Sequence, residues 1–175
     1  SSGINHLLKK NKVKIFEGFG SLIKDKSTLK KISIKKNDDV ITKSAKNIIL
    51  ATGARSRNLP FVSADGKNIW DYKTAMTPPN LPSSLVIVGS GAIGIEFASF
   101  YNDLGVEVTI IESLPSILPN EDIDISNIVK TNFEKRGIKI KTNATLKSVN
   151  NKMDSIAAEI STNGKLENIK SEKLI

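Results

Sequence analysis

Residues 85–112, LVIVGSGAIGIEFASFYNDLGVEVTIIE, are the stretch that decides the fold of this chain. An apolar run over residues 85–88 leads into three glycines spaced G-x-G-x-x-G, and a helix-like segment follows at once. A second apolar run over residues 106–111 ends on Glu112, 18 residues after Gly94. The three glycines alone would be weak evidence. The order strand, glycine turn, helix, strand and acid predicts a dinucleotide-binding unit.

Each glycine of this pattern has its own physical task. Gly89 permits the tight turn from strand to helix, and Gly91 has no Cβ, so a pyrophosphate can approach the main chain. Gly94 lets the helix pack closely on the sheet. The unpaired N–H groups and the dipole at the helix N-terminus favour a phosphate anion. The alternative is a tight strand-to-helix turn that binds no ligand.

Glu112 indicates which dinucleotide is bound. Its carboxylate can accept hydrogen bonds from ribose hydroxyls and would repel a 2′-phosphate, and no Lys or Arg occurs between Glu112 and Val129 to neutralise one. We therefore expect NAD rather than NADP. The alternative is that Glu112 is only a solvated strand end.

Composition excludes several classes of function. The net charge of +8 and the pI near 9.6 suggest nucleic-acid binding. The lysines, however, are spread along the chain and aromatic residues make up only 5%, so we expect no nucleic-acid partner. The chain has no cysteine, so it contains no disulfide, thiolate metal site or cysteine nucleophile, and we expect no metal site. No apolar run approaches the ~18 residues of a membrane span.

The N-terminal part of the chain has the pattern of a small sheet. Residues 4–10 are typical of a helix end. Residues 13–16, continuing past Gly18 and Gly20, predict a strand with a bend, and residues 29–34 and 40–41 predict the further strands of a meander. The continuous apolar run over residues 47–51 predicts a buried strand. Four prolines within residues 58–84 indicate a connector, with one or two helical turns at residues 71–76.

The pattern after Glu112 continues a parallel sheet and adds a second meander. Asp124 is the predicted N-cap of an amphipathic helix, and Gly137 is its predicted C′ glycine. The apolar face of that helix is predicted to consist of Ile125, Ile128, Val129 and Phe133. Strands are predicted at residues 138–141, 146–149, 155–160, 166–169 and 173–175, with Asn163 and Gly164 as a hairpin turn. The predicted fold class is α/β.

Four segments together resemble one known family. They are NIILATGARSR (47–57) followed by Leu59 and Pro60, GSGAIGIEFASFY (89–101), ILP (117–119) and FEKRGIKI (133–140). They are similar to the pyridine-nucleotide disulfide oxidoreductases, and within that family to the branch that oxidises dihydrolipoamide. The resemblance implies a Rossmann-like parallel sheet with an antiparallel meander, preceded by part of an FAD domain. We expect the FAD part and connector over residues 1–80 and the NAD domain over residues 81–175.

The resemblance also implies cofactor contacts at individual positions. FAD is expected near Gly20, Ala51, Thr52 and Gly53. The NAD loop and first helical turns are expected to comprise Gly89, Ser90, Gly91, Ala92, Ile93, Gly94, Ile95 and Glu96. Glu112 is expected at the adenosine ribose, Leu146 beside the adenine, and Ile93 and Glu96 near the junction of nicotinamide and flavin. For Leu146, a place in the ordinary core is an equally good interpretation. No catalytic residue is predicted within the chain.

On this resemblance we expect an internal piece of a longer, homodimeric enzyme, inactive by itself because it has no redox cysteines. The whole enzyme would oxidise dihydrolipoamide carried by the acyltransferase of a 2-oxoacid dehydrogenase complex, and pass electrons through a disulfide and FAD to NAD. A bacterial cytoplasm is the expected location, with the mitochondrial matrix as the alternative. The first 60 residues or so would be a remnant of an FAD domain without its partner strands, and we expect them to expose apolar edges and to be poorly ordered or paired between molecules. Other flavoprotein reductases, an NADH oxidase, and a non-catalytic dinucleotide-binding module remain alternatives.

Overall fold

The computed structural model describes residues 2–24 and 28–175. These residues form two compact units, one ending at Ala54 and the other beginning at Arg55. No helix in the described ranges is long and apolar enough to cross a membrane.

The first unit is a helix and a three-stranded antiparallel meander. Helix α1 (Ser2–Lys10) precedes strands β1 (Phe19–Ile23), β2 (Lys30–Lys36) and β3 (Asp39–Ala45), which pair in the order β1-β2-β3. The helix and the two later strands are at the predicted places, and β3 is longer than predicted. None of the described side chains of this unit is buried, so the predicted exposure of apolar residues is confirmed.

In the first unit, one predicted strand begins later than predicted, at Phe19, and another is wrong. Residues 13–16 are not a strand, because pairing starts only after Gly18, whose φ of +149° and close approach to the Lys35 carbonyl oxygen suit no other residue. Residues 47–51 are irregular, with Ile49 92% exposed and Leu50 65% exposed. A buried strand needs neighbours on both sides, and no described strand of this unit pairs with the segment.

The second unit contains the predicted dinucleotide-binding pattern. Its first elements are α2 (Tyr72–Met76), β4 (Ser84–Val88), α3 (Ala92–Asp103), β5 (Glu107–Ile111), α4 (Ile123–Lys135) and β6 (Lys139–Lys141). The meander β7 (Ala144–Asn151), β8 (Ile156–Thr162) and β9 (Lys165–Ser171) follows, and then β10 (Lys173–Leu174). The parallel sheet has the order β10-β4-β5-β6, and the antiparallel sheet the order β7-β8-β9. The predicted fold class is confirmed.

The parallel sheet is covered on both faces. Since successive residues of a strand face opposite sides, Leu85 and Ile87 of β4 belong to one core cluster and Val86 belongs to the other. The first cluster includes the helix residue Tyr101, and the second includes the meander residue Ile160. Helices therefore lie on one face and the meander on the other, which explains the apolar run of residues 85–88 in β4 and the burial of residues 108–111 in β5.

The connector predicted over residues 58–84 belongs to the second unit. Trp70 and Ala75 are buried in its first core cluster, and the Asp71 carboxylate caps α2 by accepting from the Thr74 N–H at 3.0 Å. The helical turns predicted at residues 71–76 are confirmed. The cofactor-domain limit predicted at residues 80 and 81 stays a prediction, while the compact unit itself begins at Arg55.

Helix α4 differs from its prediction in two details. Asp122, not Asp124, is the N-cap, because its carboxylate accepts from the Asp124 N–H at 2.9 Å. Ile125 and Ile128 are exposed, whereas Phe133 is buried and Ser126 occupies the buried side one turn from the start. All three isoleucines of this helix are exposed, so the apolar pattern alone could not choose the face that contacts the sheet.

The turns of the second unit have the predicted geometry. Gly137 has φ of +88° directly after the C-cap Arg136, as a C′ glycine requires. Asn163 and Gly164 both have positive φ and join β8 to β9 in a two-residue hairpin.

Candidate dinucleotide-binding site

The glycine turn joins the carboxyl end of β4 to the start of α3. Gly89 has φ of +101°, a conformation that side chains with a Cβ rarely adopt. A Cβ on Gly94 would lie 2.1 Å from the Gly89 carbonyl oxygen, so the helix can pack this closely only on a glycine. These two glycines perform the tasks of the first and third glycine of the pattern.

Gly91, in contrast, faces open space. Its φ of −68° and ψ of 178° are ordinary extended backbone, and a Cβ built there would meet no atom within 4 Å. Gly91 is also the N-cap of α3 and provides no side-chain acceptor for the N–H groups of the first turn. The turn therefore offers main-chain donors and the positive end of a helix dipole beside an unfilled space, which suits a pyrophosphate.

Glu112 lies at the end of the neighbouring strand and is only 6% exposed. Its Oε2 accepts hydrogen bonds from the Ser90 N–H at 2.8 Å and the Ser90 hydroxyl at 2.6 Å. Its Oε1 accepts from the Leu114 N–H at 2.9 Å and from the Ser113 hydroxyl at 3.2 Å. Burial would raise the pKa of Glu112, but these hydrogen bonds favour the charged form more strongly and hold the pKa below its ordinary value.

Ser90 lies inside the protein, beside Glu112. The resemblance implies a cofactor contact at this position, but the Ser90 side chain is fully buried, and its N–H and hydroxyl both donate to the Glu112 carboxylate. Its carbonyl oxygen accepts from the Leu118 N–H at 2.9 Å. Ser90 therefore supports the carboxylate. One feature of the sequence could have indicated this role: Ser90 is a small residue with a hydroxyl group, and it lies between two glycines that already have tasks in the turn.

The exposed side of α3 carries the positions predicted near the nicotinamide. Ile93 is 64% exposed and Glu96 is also exposed, and both line an open cavity of about 440 Å³ with Tyr72, Met76, Phe97 and Phe100. Ala92 is exposed on the first turn, while Ile95 is partly buried against the first core cluster. Ile95 therefore packs the helix onto the sheet.

Leu146 is 5% exposed and belongs to the second core cluster, opposite Ile160 on the neighbouring strand. This packing favours the core interpretation of Leu146 over a contact with adenine.

The positions expected to contact FAD lie in the first unit. Gly20 is within β1, and Ala51, Thr52 and Gly53 form an exposed irregular segment in which Gly53 has φ of +81°. Their cofactor contacts stay predictions. In the described part of the chain, no group of His, Asp and Glu side chains is arranged to hold a metal ion.

Curated sequences similar to this chain include dihydrolipoyl dehydrogenases. The enzyme of Zymomonas mobilis is 47% identical over 160 residues, which are 91% of this chain and 34% of that protein. The enzyme of Rhizobium etli is 43% identical over 187 aligned positions, covering all of this chain and 39% of that protein. The chain thus spans between a third and two fifths of the length of these relatives.

Solved structures and one protein family also match this chain. LpdA from Mycobacterium tuberculosis superposes with a TM-score of 0.84 and 29% identity over all of this chain and 38% of that one. A mutant of the flavoprotein disulfide reductase RclA from Escherichia coli has a TM-score of 0.80 over 99% of this chain and 38% of that one, but at 22% identity it shows the fold alone. The pyridine nucleotide-disulphide oxidoreductase family matches over residues 1–175. The chain belongs to this pyridine nucleotide-disulphide oxidoreductase family.

Proposed function

We propose that this chain is the NAD-binding region of a flavoprotein that oxidises dihydrolipoamide to lipoamide and delivers the electrons to NAD. The observation that carries the proposal is the open space over Gly91, next to unpaired main-chain donors at the start of α3 and to the carboxylate of Glu112. The name shared by relatives up to 47% identical supports the choice of substrate.

The residues of the second unit fit NAD at two places. The N–H groups of the first turn of α3 would hold the pyrophosphate, and the bare Gly91 admits it to hydrogen-bond distance. Glu112 would accept hydrogen bonds from the adenosine ribose. When bound, NAD supplies hydride chemistry, and these protein groups supply binding and orientation. Ile93 and Glu96 would face the nicotinamide end from the exposed side of α3.

Further elements of the proposal concern the whole protein. FAD would contact Gly20, Ala51, Thr52 and Gly53, which form only part of a flavin site. The dithiol chemistry needs cysteines, and these 175 residues contain none. The chain alone should therefore not turn over. The substrate would be dihydrolipoamide on the acyltransferase of a 2-oxoacid dehydrogenase complex, and the whole enzyme a homodimer in a bacterial cytoplasm.

A calorimetric titration with NADH and NADPH tests the cofactor assignment. We expect NADH to bind and NADPH to bind at least about fivefold more weakly, because a 2′-phosphate about 4 Å from the Glu112 carboxylate meets roughly 1–4 kcal/mol of repulsion. Absence of heat with NADH, or tighter binding of NADPH, would contradict the proposal.

A second assay tests whether the chain alone can catalyse the oxidation of dihydrolipoamide. The chain is mixed with dihydrolipoamide, NAD⁺ and FAD, and NADH formation is followed by absorbance. We expect none, because no thiol is present to exchange with the substrate. Appreciable turnover would show that the redox chemistry resides in these residues after all.

A further inference from the structure

The carboxylate of Glu112 has a protein donor at every acceptor position. A carboxylate offers about four lone-pair sites, and each of its two oxygens accepts two hydrogen bonds here. A ribose hydroxyl can therefore bind Glu112 only by taking the place of one of these donors. The lengths of the four hydrogen bonds, and the burial and backbone anchoring of their donors, indicate which donor the ribose hydroxyl displaces.

The two donors of Ser90 are not exchangeable. The Ser90 side chain is fully buried, its hydroxyl makes the shortest of the four bonds at 2.6 Å, and its N–H reaches the same oxygen. The Leu118 N–H holds the Ser90 carbonyl, and the Gly89 N–H donates to the Ile111 carbonyl at 2.8 Å. The glycine turn is thus tied to the end of β5 before Ser90 and to the loop at Leu118 after it.

The backbone of Glu112 is anchored as well. Its N–H donates to the Lys141 carbonyl at 2.8 Å, and its own carbonyl accepts from the Ala144 N–H at 2.8 Å. Its Oε1 accepts from the main-chain N–H of Leu114 at 2.9 Å, and this donor cannot rotate away by itself. The fourth donor, the hydroxyl of Ser113, makes the longest bond at 3.2 Å and belongs to an exposed residue whose side chain can rotate.

We propose that Ser90 is a positioning residue for the adenosine ribose, which holds Glu112 in its binding orientation, and that the Ser113 hydroxyl occupies the acceptor position that a ribose hydroxyl takes on binding. This inference rests on the proposed function and assigns the task of each donor within it. It goes beyond the glycine pattern, which says nothing about how the acid is held before the ligand arrives.

The test is a calorimetric titration of the 175-residue chain with NADH, in wild type and in variants at the two serines. Ser90→Ala should weaken NADH binding about tenfold, the effect of one hydrogen bond to a charged group. Ser113→Ala should leave NADH binding equal or up to about threefold tighter, because the ligand no longer displaces an internal donor. Ser171→Ala is the matched control, since its buried hydroxyl donates to the Lys173 carbonyl, and it should not change NADH binding.

A ligand variant separates positioning from general damage to the structure. The NADH analogue without the 2′ and 3′ hydroxyls of the adenosine ribose should bind wild type and Ser90→Ala equally. If Ser90→Ala does not fold, as judged by circular dichroism, Ser90→Cys takes its place, because a thiol of similar shape is a weaker donor. We then expect an intermediate loss of NADH affinity.

The outcomes distinguish this inference from the proposed function. If wild type binds NADH and Ser90→Ala binds it equally tightly, Ser90 has no positioning task. If Ser90→Ala weakens NADH and the dideoxy analogue alike, its effect is general, and the inference is overturned. A tenfold loss in Ser113→Ala would show that the Ser113 hydroxyl supports the carboxylate and does not give way. If wild type binds no NADH at all, the proposed function fails first.

Discussion

Substitution of Gly91 by valine tests the pyrophosphate site, because it adds atoms to the space that the ligand would use. The backbone of Gly91 is in an ordinary extended conformation, and a Cβ there meets no protein atom within 4 Å. The variant should therefore fold with a stability within about 1 kcal/mol of wild type, because the loss of unfolded-state entropy offsets the poorer N-cap preference of valine. A change in ligand binding can then be read without a change in stability.

The magnitude follows from the approach that phosphate oxygens need. Hydrogen bonds to main-chain N–H groups require a donor–acceptor distance of about 3 Å, whereas a methyl carbon keeps other atoms at about 3.5–4 Å. Loss of two hydrogen bonds to a charged group, at about 1.5 kcal/mol each, amounts to about 3 kcal/mol, or roughly a hundredfold in Kd. Calorimetry with NADH measures the Kd, and thermal denaturation followed by circular dichroism measures stability.

Gly94→Ala is the matched control for Gly91→Val. A Cβ on Gly94 would lie 2.1 Å from the Gly89 carbonyl oxygen, so α3 must move away from the turn. We expect a loss of stability of about 1–3 kcal/mol, typical of overpacking, and a lower Tm. The reasoning is refuted if Gly91→Val keeps the NADH affinity of wild type, or if its Tm falls as far as that of Gly94→Ala.

Two further predictions concern the second unit. Tyr101→Phe should cost about 1–2 kcal/mol of unfolding free energy, because the buried hydroxyl donates to the Ala75 carbonyl at 2.6 Å and its loss leaves that acceptor unpaired; chemical denaturation measures the cost, and an unchanged midpoint would contradict it. The stability of the second unit should be sensitive to acid because of Asp65. Burial raises the pKa of the Asp65 carboxyl, but hydrogen bonds from the N–H groups of residues 67–69 and from the Asn151 amide outweigh burial and lower the pKa below its ordinary value. Its contribution is therefore fully present above the unfolded-state pKa of about 3.9 and is lost as the pH falls through the lower folded-state value. Denaturation midpoints from about pH 6 to about pH 2 should fall less steeply in Asp65→Asn than in wild type; equal slopes would contradict the assignment.

Much of the second unit follows from local chemistry and could be predicted. The glycine turn, the C′ glycine at Gly137 and the hairpin at Asn163 and Gly164 depend on backbone conformations that few residues adopt, so residue type alone indicates them. The apolar run of residues 85–88 indicates a buried strand, and the structure buries β4 between helices and meander.

The predictions that failed concern segments whose conformation or burial depends on the segments packed beside them. Residues 47–51 have the composition of a buried strand, but no strand of the first unit pairs with them in the described ranges. Ile125 and Phe133 are both apolar, and only the position of α4 on the sheet leaves the first exposed and the second buried. The task of Ser90 was also missed, because its partner is 22 positions away in sequence.

By itself, the amino-acid sequence determined the order of most elements and the dinucleotide-binding pattern, and it led to the prediction that Glu112 binds the adenosine ribose. These depend on backbone geometry and on side-chain charge, which are local properties. Only the tertiary structure decided that Gly91 faces open space, that Gly94 lies against the Gly89 carbonyl, and that Ser90 is buried against Glu112. These depend on how closely a helix approaches a turn and how one strand end lies beside another, and such distances arise only when separate segments pack together.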